Sequence, residues 1–246
     1  MVKGLEIFRV WFEGYADQYV LIGGTAASIA MQAAGLDFRA TKDLDVVLHL
    51  EALTSAFGQR FWEFIEAGRY NIRQSATSGK PQLFRFQKPA EETFPFMIEL
   101  FARAPLGIDL APQSHLTPIP LDELVSSLSA ILINDTYYDF IMDGRKNLNG
   151  LPWVGEDRLI PLKALTWLSL TQEKSTGGQV DSKNIKKHLS DIVALTTLLS
   201  PVMKISIDAK IATDLKRFIA AVNGSTPVNN EATRALDRLT TAYGLQ

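Results

Sequence analysis

Apolar residues fall along this chain in two rhythms, and the change between them comes near Pro161. Before it, short apolar runs alternate with amphipathic segments. The runs Tyr19–Ile22, 44–50, 83–87 and 96–101 predict strands, with further strands expected near 131–133 and 137–142. Helical spacing marks 25–34 and 53–67, where Phe57, Phe61, Phe64 and Ile65 recur on one face. Pro and Gly cluster over 105–120, which predicts a loop along one edge. Beyond Pro161 only helical periodicity remains. Pro161 suits the first turn of a helix over 162–173, and Ser175-Thr176-Gly177-Gly178 breaks it. Asp181 or Ser182 can cap a helix over 183–199, which Pro201 stops. Two more helical segments, 208–222 and 230–242, flank Asn223-Gly224-Ser225-Thr226-Pro227. The pattern predicts an α/β domain with a mixed sheet over residues 1–160 and a helical domain over 161–246.

Composition narrows the chemistry. The 246 residues are 46% apolar and 21% charged, as in ordinary globular proteins. A net charge of −2 means that any nucleic-acid contact needs a local patch. The absence of cysteine removes disulfides, thiolate metal sites and cysteine nucleophiles. His49, His115 and His188 show no metal-binding spacing. The opening segment carries charges too early for a secretion signal, and no apolar stretch approaches the roughly 20 residues that span a bilayer. A soluble cytoplasmic protein without a membrane partner is expected. There is no G-x-x-x-x-G-K-S/T phosphate loop, no G-x-G-x-x-G fingerprint and no G-x-S-x-G nucleophile elbow.

The first strand ends in Gly23 and Gly24, and a predicted helix begins at Thr25. Such glycines let the backbone approach a ligand closely and offer N–H groups to phosphate. At the head of the second strand stand Asp43, Leu44 and Asp45. Residues two apart in a strand face one way, so Asp43 and Asp45 project together. Paired carboxylates repel unless a cation joins them, and hard oxygen ligands suit Mg²⁺. Arg39 and Thr41, just upstream, can touch phosphate or serve as a turn residue and a cap. Glu99 is a lone acid within an apolar run; it faces a cavity, a partner or a metal, or else water at a sheet edge. If its strand neighbours that of Asp45, three carboxylates converge. Lys163, in an apolar helix, can neutralise charge on a transferring phosphate or snorkel to solvent. Lys183, Lys187 and Asp191 are spaced by four, which predicts a shared face.

These residues resemble a known family. Gly23-Gly24-Thr25-Ala26, followed by Arg39-x-Thr41-x-Asp43-Leu44-Asp45, resembles the Gly-Gly-Thr/Ser-Ala … Arg-x-Ser/Thr-x-Asp-Ile/Leu-Asp signature of AbiEii-type nucleotidyltransferases. Those are toxins of type IV toxin–antitoxin systems within the polymerase-β-like nucleotidyltransferase superfamily. The family also carries a helical Lys, matched by Leu162-Lys163-Ala164-Leu165, and then a Lys/Arg-Asp-x-x-Asp-Leu/Ile helix. Lys187-His188-Leu189-Ser190-Asp191-Ile192 matches the latter, with His188 replacing the usual first acid. Eighteen residues separate Gly24 from Asp43, more than in the compact superfamily pattern.

The resemblance implies a polymerase-β-like domain followed by a helical bundle. It implies transfer of a nucleoside monophosphate from an NTP to an acceptor hydroxyl, with release of pyrophosphate. Asp43 and Asp45, with Glu99 as third ligand, would hold Mg²⁺ or Mn²⁺. Gly23, Gly24 and Thr25 would cradle phosphate, helped by Arg39 or Thr41. Lys163 would neutralise phosphate charge, and Asp191 would orient Lys163 or the nucleotide. The acceptor expected from some relatives is the 3′ end of tRNA, and an antitoxin is an expected partner. Arg60, Arg69, Arg73, Lys80, Arg85, Lys183, Lys186 and Lys187 can contact an RNA backbone. A small-molecule O-nucleotidyltransferase and a non-catalytic nucleotide-binding or protein-interaction module are the alternatives.

Overall fold

The computed structural model describes residues 2–74, 81–107, 114–121, 128–224 and 230–245. Its elements in chain order are α1 (Leu5–Trp11), β1 (Tyr19–Ile22), α2 (Gly23–Ala33), β2 (Asp43–Leu48), α3 (Ser55–Ala67), β3 (Asn71–Gln74), β4 (Pro81–Gln87), β5 (Met97–Ala102), β6 (Leu116–Pro118) and β7 (Ser129–Leu132). There follow α4 (Asp135–Asp143), β8 (Arg145–Leu148), β9 (Leu151–Val154), α5 (Glu156–Ser175), α6 (Ser182–Leu195), α7 (Ala209–Gly224) and α8 (Asn230–Ala242). They form two compact units: Met1–Ser28 with Arg39–Val154, and Ile29–Phe38 with Gly155–Gln246.

The first unit is built on a mixed sheet with strand order β3-β4-β5-β2-β1-β9-β8, and β7 pairs with both β5 and β6. β2 runs antiparallel to β1 and parallel to β5. Alternation decides which side of the sheet is buried. Leu44, Val46 and Leu48 of β2 are buried, as are Ile98, Leu100 and Ala102 of β5, whereas Asp43, Asp45, Met97, Glu99 and Phe101 are half-buried. The buried side carries an aromatic core. The Phe8 and Phe12 rings lie 4.4 Å apart, tilted by 32°; Phe8 meets Tyr19 of β1 edge-on at 5.5 Å, and Phe61 of α3 meets Phe86 of β4 at 5.5 Å. Phe57, Phe61, Phe64 and Ile65 are all buried along α3, so the helical spacing read from the sequence is the spacing of a core face.

Residues 137–142 form part of a helix, not a strand. Asn134 caps α4 by accepting from the Tyr137 N–H, and Tyr137, Tyr138, Phe140 and Ile141 are buried along it. The aromatic run suggested a strand, but the cap and the burial of residues four apart favour the helix. Of the loop expected over 105–120, residues 108–113 lie outside the described residues, and 116–118 form the short strand β6, paired to β7.

In the second unit α5 packs on α6 and α7, and α6 packs on α8. Trp167 of α5 meets Phe218 of α7 edge-to-face at 5.2 Å. Ile211, Leu215, Phe218 and Val222 form the buried stripe of α7; Ala232, Ala235, Leu236 and Leu239 form that of α8. Helix α5 starts at Glu156, so Pro161 lies inside it and not in its first turn. A proline there cannot donate to the carbonyl four residues back, that of Asp157. The Tyr243 hydroxyl donates to this carbonyl at 2.8 Å, replacing the missing backbone bond. Burial, and next the charge of nearby Asp157, push the Tyr243 phenol well above its ordinary range, so it remains a donor. Tyr243→Phe leaves a part-buried acceptor without this donor and is expected to cost about 0.5–1.5 kcal/mol, measured by urea unfolding.

Candidate active site

The sheet register brings the glycine turn and the carboxylate pair to one end of the first unit. Ile22, the last residue of β1, pairs with Asp45 of β2. Gly23 then turns the chain directly into α2 with φ +67°, a left-handed conformation that side chains other than glycine rarely adopt. Space demands glycine as strongly as conformation does. A Cβ on Gly23 would overlap Asp45 Oδ2 and stand 2.7 Å from Asp45 Cγ. A Cβ on Gly24 would lie 2.8 Å from Thr41 Oγ1 and 3.4 Å from Arg39 Nη2. Thr25 is fully buried, and its hydroxyl donates to the Asp43 backbone carbonyl at 2.7 Å. Gly23, Gly24, Thr25, Arg39, Thr41, Asp43 and Asp45 therefore form one cluster. The Asp45 carboxylate lies against the first turn of α2, where the helix dipole favours negative charge.

Glu99 stands on the adjacent strand. Asp45 pairs with Glu99, and Glu99 pairs in turn with Arg85 of β4. Direct partners across strands point to the same side of a sheet, so Arg85, Glu99 and Asp45 make a row. Asp43 and Asp45 share that side with Glu99. The Glu99 carboxylate, 13% exposed, accepts from Arg85 Nε at 2.5 Å. Among the described residues no three Asp, Glu, His or Cys side chains are arranged to hold a metal ion. The strands thus bring Glu99 beside the aspartates, but an arginine holds its carboxylate. Asp43 and Asp45 fit a hard divalent cation as a two-carboxylate set, the kind that suits Mg²⁺ when substrate phosphates and water complete its shell. Arg85 neutralises the Glu99 carboxylate through Oε1, and among the described residues Glu99 joins no group of three metal-ligating side chains.

The second unit holds the other two predicted residues. Lys163 of α5 and Asp191 of α6 form an ion pair, Nζ to Oδ2, at 2.8 Å. Their exposures of 5% and 2% rule out the snorkelling alternative for Lys163. The shared face expected for Lys183, Lys187 and Asp191 is not found: the lysines are exposed and Asp191 is buried. A spacing of four overshoots the helical repeat by about 40° per step, and two such steps separate Lys183 from Asp191.

The other basic candidates are engaged locally or exposed. Arg60 donates to the Trp11 carbonyl and to Glu63, with its guanidinium 4.1 Å from the Trp11 ring. Arg69 pairs with Glu91, while Lys183, Lys186 and Lys187 are exposed on α6. Lys80 and the side chain of Arg73 lie outside the described residues. Arg85 was one basic residue among many in the sequence; its bond to Glu99 depends on strand register, for which no local signal exists. Among the described residues no helix is long and apolar enough to cross a membrane.

No family model matches the chain, and no curated protein matches it. The chain is similar to a solved structure described as an antigenic nucleotidyltransferase-like protein from Paracoccidioides brasiliensis. The two are 12% identical with a TM-score of 0.48, over 97% of this chain and 95% of that one.

Proposed function

We propose that this protein is a nucleotidyltransferase that moves a nucleoside monophosphate from an NTP to an acceptor hydroxyl. The observation that carries the reading is the cluster in which Gly23 and Gly24 pack against Asp45 and Thr41 beside Asp43. It is supported by the resemblance of the same residues, in the same order, to the AbiEii signature. In the reaction the acceptor oxygen bonds to the α-phosphorus, the bond from that phosphorus to the bridging oxygen of the β-phosphate breaks, and pyrophosphate leaves. The hydroxyl proton passes to solvent or to a nearby carboxylate.

Asp43 and Asp45 would hold Mg²⁺ or Mn²⁺, which when bound neutralises phosphate charge and acidifies a coordinated hydroxyl. The remaining work is positioning and electrostatics. The Gly23-Gly24 turn offers N–H groups at the start of a helix, which suits phosphate oxygens. Arg39 and Thr41 flank the turn and would fix the triphosphate. By the resemblance, Lys163 would neutralise charge on the transferring phosphates and Asp191 would orient it. The buried 2.8 Å pair supports the second role. Also by the resemblance, the acceptor is the 3′ end of tRNA, the activity is toxin-like, and an antitoxin partners the protein.

The reading is tested by incubating the protein with Mg²⁺, each labelled NTP in turn, and total tRNA or a cell extract. Label is expected on RNA, with release of pyrophosphate. Label on a small molecule would support the small-molecule alternative, and no transfer with either metal would contradict nucleotidyl transfer.

A further inference from the structure

We propose that Arg85 is an anion anchor of this site, and that Glu99 is a positioning residue that holds Arg85 and not a metal ligand. The inference rests on the nucleotidyltransferase reading. Arg85, Glu99 and Asp45 occupy one row on three neighbouring strands and share one side of the sheet. Arg85 is 33% exposed, and Nε is its only hydrogen-bonding atom with a partner among the described residues. Among the described residues, neither Nη group has a hydrogen-bond partner. A guanidinium fixed through one nitrogen presents the rest of its planar fork to a phosphate, a geometry that lysine lacks.

The charges on this side of the sheet point the same way. Asp43, Asp45 and Glu99 would otherwise give three negative charges on a surface that must receive a triphosphate. Arg85 cancels one of them and adds donors for the incoming anion. About 10 Å, two strand spacings, separates the Arg85 and Asp45 backbones. A polyphosphate reaching from the aspartates and a long side chain reaching from β4 can together span that gap. Arg85 Nε engages only Oε1 of Glu99; a Glu99 that serves to hold Arg85 and a Glu99 that serves to ligate a cation at Asp45 predict different behaviour on substitution.

The test is calorimetric titration of the full chain with each of the four NTPs in Mg²⁺, for wild type, Arg85→Lys, Arg85→Gln, Glu99→Gln and the Arg85→Gln/Glu99→Gln double variant. Melting curves establish that each protein is folded, and Arg85→Lys retains the ion pair if Arg85→Gln does not fold. The best-bound NTP is expected to lose at least about tenfold in affinity in Arg85→Gln and less in Arg85→Lys. Glu99→Gln is expected to weaken binding only when Arg85 is present, so the double variant binds like Arg85→Gln. Arg85 variants that bind like wild type, or a Glu99→Gln loss that persists without Arg85, would overturn the inference while leaving nucleotidyl transfer standing. A wild type that binds none of the four NTPs would overturn the nucleotidyltransferase reading itself.

Discussion

Lys163→Met is expected to destabilise the helical unit by about 3–5 kcal/mol, the usual cost of removing one partner from a buried ion pair. Lys163 and Asp191 are 5% and 2% exposed, so the remaining carboxylate could not rehydrate. It would have to stay charged without its cation or take up a proton, and both are costly. The cost belongs to the uncompensated charge and not to lost attraction, since a buried pair replaced by apolar residues is often neutral or stabilising. Lys163→Met/Asp191→Leu should therefore recover most of the stability. The double variant separates folding from chemistry: it is expected to fold and to transfer no nucleotide. Urea unfolding followed by circular dichroism measures the first, and label transfer the second. A single variant within about 1 kcal/mol of wild type would mean that Asp191 is effectively solvated.

Gly23→Ala is expected to lower transfer at least about 100-fold, because a shift of about 1 Å in a catalytic group costs that much. Two effects add at this position. The left-handed backbone, φ +67°, costs an L-residue about 1–2 kcal/mol. The new methyl would also overlap Asp45 Oδ2, so the carboxylate must move. Gly14→Ala is the control: φ is +88°, and a Cβ there meets nothing within 4 Å. It should carry the strain alone and leave activity unchanged. Equal activity losses in the two variants would mean that backbone strain, and not displacement of Asp45, is the cause.

What the chain disclosed in advance follows from the range of the interactions involved. Periodicity marked β1, β2, β5, α3 and α8 because each buries a continuous face that its own residues encode. Asp43 and Asp45 were legible for the same reason: strand alternation alone places them together. Tyr137 and Tyr138 misled because aromatic residues suit strands and helices alike, and the Asn134 cap was the better guide. Asn149-Gly150, joining β8 to β9 with φ +52° and +83°, is a strong local hairpin signal. Pro161 misplaced the start of α5 because its compensating donor, Tyr243, lies more than 80 residues away. The state of Glu99 was illegible for a similar reason. That a lone acid stood within an apolar strand could be read, but its partner depends on the pairing of β4 with β5.

The most direct measurement compares NTP labelled at the α-phosphate with NTP labelled at the γ-phosphate, using wild type and Asp43→Ala in Mg²⁺ with total tRNA. Nucleotidyl transfer predicts that wild type moves the α-label to the acceptor and the γ-label to pyrophosphate, and that Asp43→Ala moves neither. A γ-label on the acceptor, or undiminished α-label transfer by Asp43→Ala, would contradict it.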